Sequence, residues 1–575
     1  MFKGFLRNGS NLLTRRQTSI LSAAMIIMVM VAASRVLGLV RNRVLAHFFS
    51  VEVLSVYFAA FRLPETIFEV LIFGALSSAF IPTFTTYLSR KQKDQAWYVA
   101  AVSLNFAVLI FAALALLVFI LAKPIYSLIA PGFEPAAIEQ IASLTRILIL
   151  AQGFFVISFF LTGVLESLQR FLIPALAPVF YNLGIILGAV FFSNRLGIYA
   201  PTVGAVIGAF LHFVIQLPLA VHLGFRPQRS LNFHHPGVRE IGRLAAPRMV
   251  ELSFLQLGKS AELFLASLVS TAAYTYYTFA NSLQLLPISL FGMSIAKASL
   301  PTLSRHAAKE DLKRFRETFA SSFGEILFLV LPFSIFLAVL RVPVVRLTFG
   351  TARFTWESTV QTGYTLSAFS LGIFSQALIY LLNRAFYALH DTSTPVKVSI
   401  GSIFINILLG VIFILGFGWP IWSLAFAFSL ASILQMVILF LLLARQFTVR
   451  EKRLLVFTSL KIGFISLTSG GVMFLLLKIL DRSVWDKKLS FLGRLGLALP
   501  TTFDHFVLDT RYTLNLIYLT FIVGLTGALV YLSLAWLLGL REIAVFGRLL
   551  ARIRQLPRVP KQKEAITITS DTVDD

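Results

Sequence analysis

Apolar segments of about twenty residues recur along nearly the whole chain, each long enough to cross roughly 30 Å of hydrocarbon at 1.5 Å per residue. Fourteen can be laid out, over about 18–48, 55–88, 95–122, 137–168, 172–194, 199–224, 238–268, 271–303, 312–341, 357–389, 394–416, 420–446, 452–479 and 513–540. In lipid each backbone N–H and C=O must find its partner inside the segment, so spans of this length are helices rather than barrel strands. With 57% of 575 residues hydrophobic and only 13% charged, the chain is too apolar for a soluble globule, where about 45–50% is usual. The expected fold class is therefore an all-α polytopic membrane protein.

The net charge of +24 raises nucleic acid as a partner, but the lysines and arginines cluster in alternate loops, so no nucleic-acid partner is expected. Clusters at Arg15 and Arg16, at Arg90, Lys91 and Lys93, at Arg226 and Arg229, and at Lys313, Arg314 and Arg316 all follow an even number of crossings. The positive-inside rule then puts both termini in the cytoplasm, with the first span retained and the chain in a plasma membrane. The absence of cysteine excludes disulfides and thiol chemistry. No phosphate-binding loop, dinucleotide fingerprint, nucleophile elbow or metal-spaced histidines occur, so neither an enzyme nor a resident metal or cofactor is expected. A transporter of this kind would draw on Na+, H+ or the membrane potential.

A weak internal repeat divides the chain. Ala79-Phe80-Ile81-Pro82-Thr83 returns as Ala298-Ser299-Leu300-Pro301-Thr302, and Phe133, Leu168 and Pro174 return 221 residues later as Phe354, Leu389 and Pro395. Matches near one offset imply two parallel six-helix lobes, 1–230 and 231–448, related about the membrane normal with a cavity between them. The Pro-, Arg- and His-rich stretch at 226–236 reads as the hinge. Residues 449–540 add two helices with an extracytoplasmic insertion at 481–512, read as a surface loop. The tail from 541 starts as a basic amphipathic helix on anionic lipid.

Charges inside the spans concentrate in the first two helices of each lobe. Arg35, Arg41 and Arg43 follow the apolar run Ile20 to Ala33, although a cation at the centre of a span costs about 2.5–3.5 kcal/mol. Arg62, Glu65 and Glu69 share one face of the second helix, and Arg248, Glu251, Lys259 and Glu262 make a stripe on the seventh. Lys297 adds one cation on the eighth. Two readings stand: the cations grip an anionic cargo while the carboxylates gate or couple, or the charges neutralise one another. Arg35 or Arg41 would then pair with Glu65 or Glu69, and Arg248 with Glu251.

Four blocks carry a resemblance: SRVLGLVRNRVLAHFF (34–49), FRLPETIFEVLIFGALSSAFIPTFTTYLSR (61–90), YTFANSLQLLPISLFGMSIAKASLPTLSR (277–305) and FYALHDTSTPVKVSI (386–400). Together they resemble the MurJ/MviN family of lipid II flippases. The resemblance implies the multidrug, oligosaccharidyl-lipid and polysaccharide exporter fold, with two six-helix lobes in a V and two further C-terminal helices. It implies a lipid-linked peptidoglycan precursor as cargo, flipped to the outer leaflet by alternating access for cell wall synthesis, with membrane lipids and cell wall synthesis proteins as partners. Ser34, Arg35 and Arg41 match the pyrophosphate-contacting motif of the first helix, and Asn281 and Ser282 fall on the motif of the eighth. The family's basic position on the second helix falls at Phe68 and its nearby Glu at Phe73. Its eighth-helix Arg and Glu fall at Ser282 and Leu285, and the Asp expected before the second helix falls near Ser55. Arg43, Arg62, Arg248 and Lys259 stand as candidate replacements. Another polyprenyl-pyrophosphate-linked glycan, or cation-coupled drug export on the same fold, are the alternative functions.

Overall fold

The computed structural model of the chain describes residues 20–74, 79–481, 507–510 and 512–544. Most of the insertion at 481–512 and the tail beyond 544 lie outside the described residues. The path runs α1 (Ile20–Phe48), α2 (Val51–Ala60), α3 (Arg62–Phe68), a π-helical turn (Glu69–Phe73) and α4 (Ile81–Ser89). It continues through α5 (Lys93–Ile129), α6 (Pro135–Ser167), α7 (Leu172–Leu196), α8 (Tyr199–His222), α9 (Pro236–Val269) and α10 (Ala273–Ala308). Then come α11 (Leu312–Val339), α12 (Arg341–Phe349), α13 (Trp356–Ser370), α14 (Ile373–Ala388), α15 (Ser393–Gly416), α16 (Trp422–Gln446), α17 (Val449–Leu480) and α18 (Thr513–Leu537). Among the described residues no β-strand forms.

Eleven of these helices are long and apolar enough to cross a membrane, and α13 with α14, bent by 42°, makes a twelfth if counted as one span. The expected count of fourteen adds α1 and the α2–α4 run to these. The second of them is not one continuous helix over 55–88. It starts earlier, at Val51, and changes helical type where the charges sit.

Backbone punctuation repeats with the sequence. The π turn Glu69–Phe73 has a counterpart in Ile288–Met293 inside α10, starting 219 residues on. The left-handed residues Lys91 and Gln169 recur as Glu310 and His390, 219 and 221 residues on. Within the first half, Gly184 and Gly188 of α7 face Gly204 and Gly208 of α8 so closely that a Cβ on Gly204 would lie 2.4 Å from the Gly184 carbonyl. Lipid supplies no hydrophobic drive between helices, so such close backbone contact is what fastens the pair. On α17 and α18, Ser469 donates to the Gly527 carbonyl at 2.7 Å and Tyr531 to the Phe328 carbonyl of α11 at 2.8 Å, tying the last two helices to the second half. Large apolar side chains stand on the outside of the helices: Leu116, Phe191, Phe404, Leu441 and Phe521 are exposed on α5, α7, α15, α16 and α18.

The two halves meet along a seam whose ends we name after Phe48 and Arg90. One apolar core is continuous through both halves at the Phe48 end, where Leu45, Leu54 and Tyr126 join Phe279, Phe349 and Phe354. Toward the Arg90 end the first half keeps its own core around Phe68, Phe80 and Phe160. Val238, Ile241 and Ala245, at the start of α9, pack into that core. The first turns of the second half thus rest on the first half. The hinge stretch lies along α5, with Asn105 donating to the carbonyls of Gln228 and Ser230 at 2.6 and 2.9 Å.

Candidate cargo site along the seam

Four residues build a polar chain across the middle of the seam. Arg62 of α3, 5% exposed, donates to Gln256 of α9; Gln256 donates to Glu69 at 2.5 Å, and Lys259 donates to the same carboxylate oxygen at 2.8 Å. The π turn places Glu69 for this. An i to i+5 turn widens the helix by one residue and resets which side chains face α9. Arg248 pairs with Glu251 along α9, as expected from their spacing. Glu262 lies against Tyr277 of α10 and Asn406 of α15.

Arg41 departs from the expected pairing. Its guanidinium donates to Asn42 at 3.0 and 3.2 Å and to Asn182 of α7 at 3.2 Å. Neither Arg41 nor Arg35 forms an ion pair with Glu65 or Glu69, because Lys259 occupies Glu69 and Asn182 reaches Arg41 first. Neutral amides fix the guanidinium without cancelling its charge, which leaves it able to take a bidentate oxyanion. Arg35 is exposed and Ser34 half-buried on the same helix.

Arg43 goes elsewhere. It donates to the carbonyls of Leu347 and Thr348 at 2.5 and 3.2 Å, satisfying the end of α12 at the Phe48 end. Thr351 donates back to the Ala46 carbonyl at 2.6 Å. Ser55, where the family's Asp was expected, is buried in a hydroxyl pair with Thr275 at 2.9 Å, and Thr275 donates to the Val51 carbonyl at 2.7 Å. These contacts cross between halves. Above them a pocket of about 590 Å³ is lined by Glu52, Tyr276, Arg353 and Glu357.

Phe68 points away from the seam, its ring 5.9 and 5.2 Å from those of Phe155 and Phe159. The position expected to be basic therefore serves the apolar core of the first half. Ser282 donates to the Phe279 carbonyl at 2.7 Å, Asn281 accepts from Gln284 at 2.8 Å, and Leu285 is half-buried. The side chain of Phe73 lies outside the described residues.

Sequence reasoning missed Gln256, Asn42, Asn182 and Arg384. Arg384, half-buried on α14, corrects the expectation that charges concentrate in four helices: the rule that flagged Arg35 applies equally to an arginine inside a span. Gln256 lies eight residues after Arg248 on the charged face of α9, so its placement followed from the stripe. Asn182, on a different helix, carried no such signal. Arg35, Arg41, Arg62, Arg248, Lys259 and Arg384 outnumber Glu65, Glu69, Glu251 and Glu262 by two. That excess favours an anion.

The sequence model of a family described as "Lipid II flippase MurJ" matches residues 44–493. A Vibrio cholerae protein described as a probable lipid II flippase MurJ is 31% identical over 440 residues, covering 73% of this chain and 82% of its own. The chain belongs to the MurJ family. A Burkholderia cenocepacia relative, described as lipid II flippase MurJ, is 26% identical over 429 residues, 71% of this chain and 80% of its own. Among solved structures, a lipid II flippase MurJ in an inward closed conformation has a TM-score of 0.71 at 24% identity, covering 92% of this chain and all of that one. An inward-facing multidrug resistance MATE transporter has a TM-score of 0.60 at 14% identity, covering 74% and 95%. This MurJ-family chain thus has the two-lobed exporter fold that the sequence suggested.

Proposed function

We propose that this protein flips lipid II, the lipid-linked peptidoglycan precursor, from the cytoplasmic to the outer leaflet of a bacterial inner membrane by alternating access, and that it is a transporter rather than an enzyme. Within family membership, the observation that carries the reading is Arg41: a guanidinium at membrane depth, held by amides and without a salt bridge, is a ready oxyanion receptor. In the proposed orientation the Arg90 end is cytoplasmic, as are both termini, and the sealed Phe48 end is outermost. Residues 1–230 and 231–448 act as the moving lobes, with α17 and α18 as an accessory pair.

Cargo phosphate would draw on Arg35, Arg41 and Lys259, and its arrival would compete with Glu69 for Lys259. Freed Glu69, with Glu65 and Glu262, would be where a coupling Na+ or H+ acts if the membrane potential alone does not drive the step. Cell wall synthesis proteins are the partners such a flippase would supply. A flippase for another polyprenyl-pyrophosphate-linked glycan is the second reading, favoured by Phe68 and Ser282 standing where basic residues were expected.

Complementation tests the proposal. In a host depleted of its own lipid II flippase, wild type restores growth and Arg41→Ala, at equal membrane level, does not. No rescue by a folded, inserted wild type that does export a different lipid-linked glycan would replace the first reading with the second.

A further inference from the structure

Outside the charged seam, three charged side chains meet on the exposed surface of α5 and α6. Lys123 of α5 pairs with Glu139 of α6 at 2.8 Å, and Arg146 approaches the second oxygen of the same carboxylate at 3.9 Å. Arg146 also donates to the Phe119 carbonyl at 3.1 Å, its guanidinium carbon 5.8 Å from the Phe119 ring centroid. The three side chains are 58%, 50% and 31% exposed, among apolar neighbours that are exposed as well: Leu116, Ile120 and Leu150. Counted from Pro135 at the Phe48 end, Glu139 stands roughly 6 Å and Arg146 roughly 16 Å along α6. The arginine thus rises from a deeper level of the span toward the carboxylate. Glu134, in the turn before α6, is exposed and joins no ion pair among the described residues.

The fold does not need these charges. At the 221-residue offset Glu139 and Arg146 fall on Val360 and Ser367, so the second half builds the corresponding helix without them. Charged side chains on the outer face of a span are costly unless something on the lipid side meets them. At 3.9 Å from Glu139, Arg146 keeps most of its planar fork open, and that fork matches a phosphate bidentately. Glu139 accepts from Lys123 and, half exposed, has lone pairs left for a second ammonium. Read from the middle of the bilayer outward, the order is therefore cation, then carboxylate. A phospholipid with an amine headgroup presents the complementary order, phosphate and then ammonium. We propose that Arg146, Glu139 and Lys123 form a headgroup site for an aminophospholipid of the ethanolamine class, in the leaflet at the Phe48 end. Thr145, beside Arg146, donates to the Ala60 carbonyl of α2 at 2.9 Å, so the lipid lies behind the turn that ties α6 to the sealed end. The site is independent of the cargo reading.

The test uses the full-length protein in lipid nanodiscs carrying a trace of photoreactive phosphatidylethanolamine, with crosslinks mapped by peptide mass spectrometry. Unlabelled phosphatidylethanolamine, phosphatidylglycerol and phosphatidylcholine compete; the second has no ammonium and the third an ammonium without N–H donors. Crosslinks should fall on the α5 and α6 surface around Lys123 and Arg146. A charge-assisted hydrogen bond is worth about tenfold in binding, so phosphatidylethanolamine should displace the label about tenfold better than either competitor. Arg146→Gln should weaken all three lipids at this surface by about the same factor. Glu139→Gln should bring phosphatidylethanolamine down to the level of phosphatidylglycerol and leave phosphatidylglycerol no weaker than before. Equal displacement by the three lipids in wild type, or a preference for phosphatidylglycerol, overturns the site. So does a headgroup preference that survives Glu139→Gln. Thermal unfolding identifies any variant that fails to fold, and the wild-type headgroup preference, which needs no variant, then carries the test.

Discussion

The two ends of the seam are held by different chemistry. At the Phe48 end, aromatic and aliphatic side chains from both halves share one core, and the polar contacts crossing it are hydroxyl and carbonyl hydrogen bonds plus the Arg43 contact to α12. Toward the Arg90 end the halves keep separate cores, bridged by α9, and the residues between them are charged. A neutral seal can close without any ligand, since each hydrogen bond contributes only about 0.5–1.5 kcal/mol and none leaves a bare charge behind when it opens. A charged seam with surplus cations is costly to close without an anion to pair them. In the proposed orientation, with the Arg90 end cytoplasmic, that division suits a machine that stays sealed at one end while empty and responds to anionic cargo at the other.

Wedging the sealed end should have the largest effect. A Cβ on Gly132, after α5, would fall 2.0 Å from the Ser267 carbonyl at the end of α9. Overpacking of this kind costs about 1–3 kcal/mol, so Gly132→Val should push the halves apart there. Since the chain has no cysteine, Ala273→Cys, buried on α10, is a clean reporter whose reaction with an impermeant thiol reagent should accelerate at least tenfold. Unchanged labelling would mean that the seal lies elsewhere.

The charged middle is tested by exchange. Glu69→Lys sets two cations face to face, and Lys259→Glu two carboxylates. At 42% and 25% side-chain exposure the pair is screened, so each change should cost about 1–2 kcal/mol of thermal stability, and the double exchange should recover at least half of it. Flipping should not recover in the double variant if phosphate needs the cation on α9. Full recovery of both would make the pair a structural strut only.

Arg43 makes a smaller and purely positional prediction. Arg43→Ala removes the cap on α12 but no cavity charge, so Ala273→Cys labelling should rise about fivefold, the equivalent of about 1 kcal/mol, while binding of a pyrophosphate probe stays constant. A loss of binding would place Arg43 among the cargo contacts expected from the sequence.

The smallest effect lies outside both ends. Asp391, in the loop before α15, accepts from the Thr394 backbone N–H at 3.0 Å, and that bond holds its carboxyl below the usual range. A depressed folded-state value means that the stabilisation is present above the unfolded value near 3.9 and is lost as pH falls through the folded one. Asp391→Ala should cost about 0.5–1 kcal/mol at neutral pH, and its difference from wild type should vanish in strong acid. A difference that persists there would mean that packing rather than the hydrogen bond is lost.

Span-length apolar runs, the 219- to 221-residue repeat and the four motif blocks made the exporter fold legible from the chain alone, because lipid forces every spanning segment to satisfy its own backbone and lets hydrophobicity report topology. The Arg248–Glu251 pair was legible too, being local to one helix. What the sequence by itself could not assign was partnership across helices. Arg41 and Glu69 looked complementary on neighbouring segments, yet tertiary packing gave Arg41 to Asn182 and Glu69 to Lys259. Arg43 and Arg41 are two residues apart in one motif, and the roughly 200° that two residues turn on a helix sends one to the end of α12 and the other into the seam. The sequence determined how many charges the membrane must hold; only the tertiary structure decided which of them form ion pairs and which do not, since that depends on distances between segments far apart in the chain.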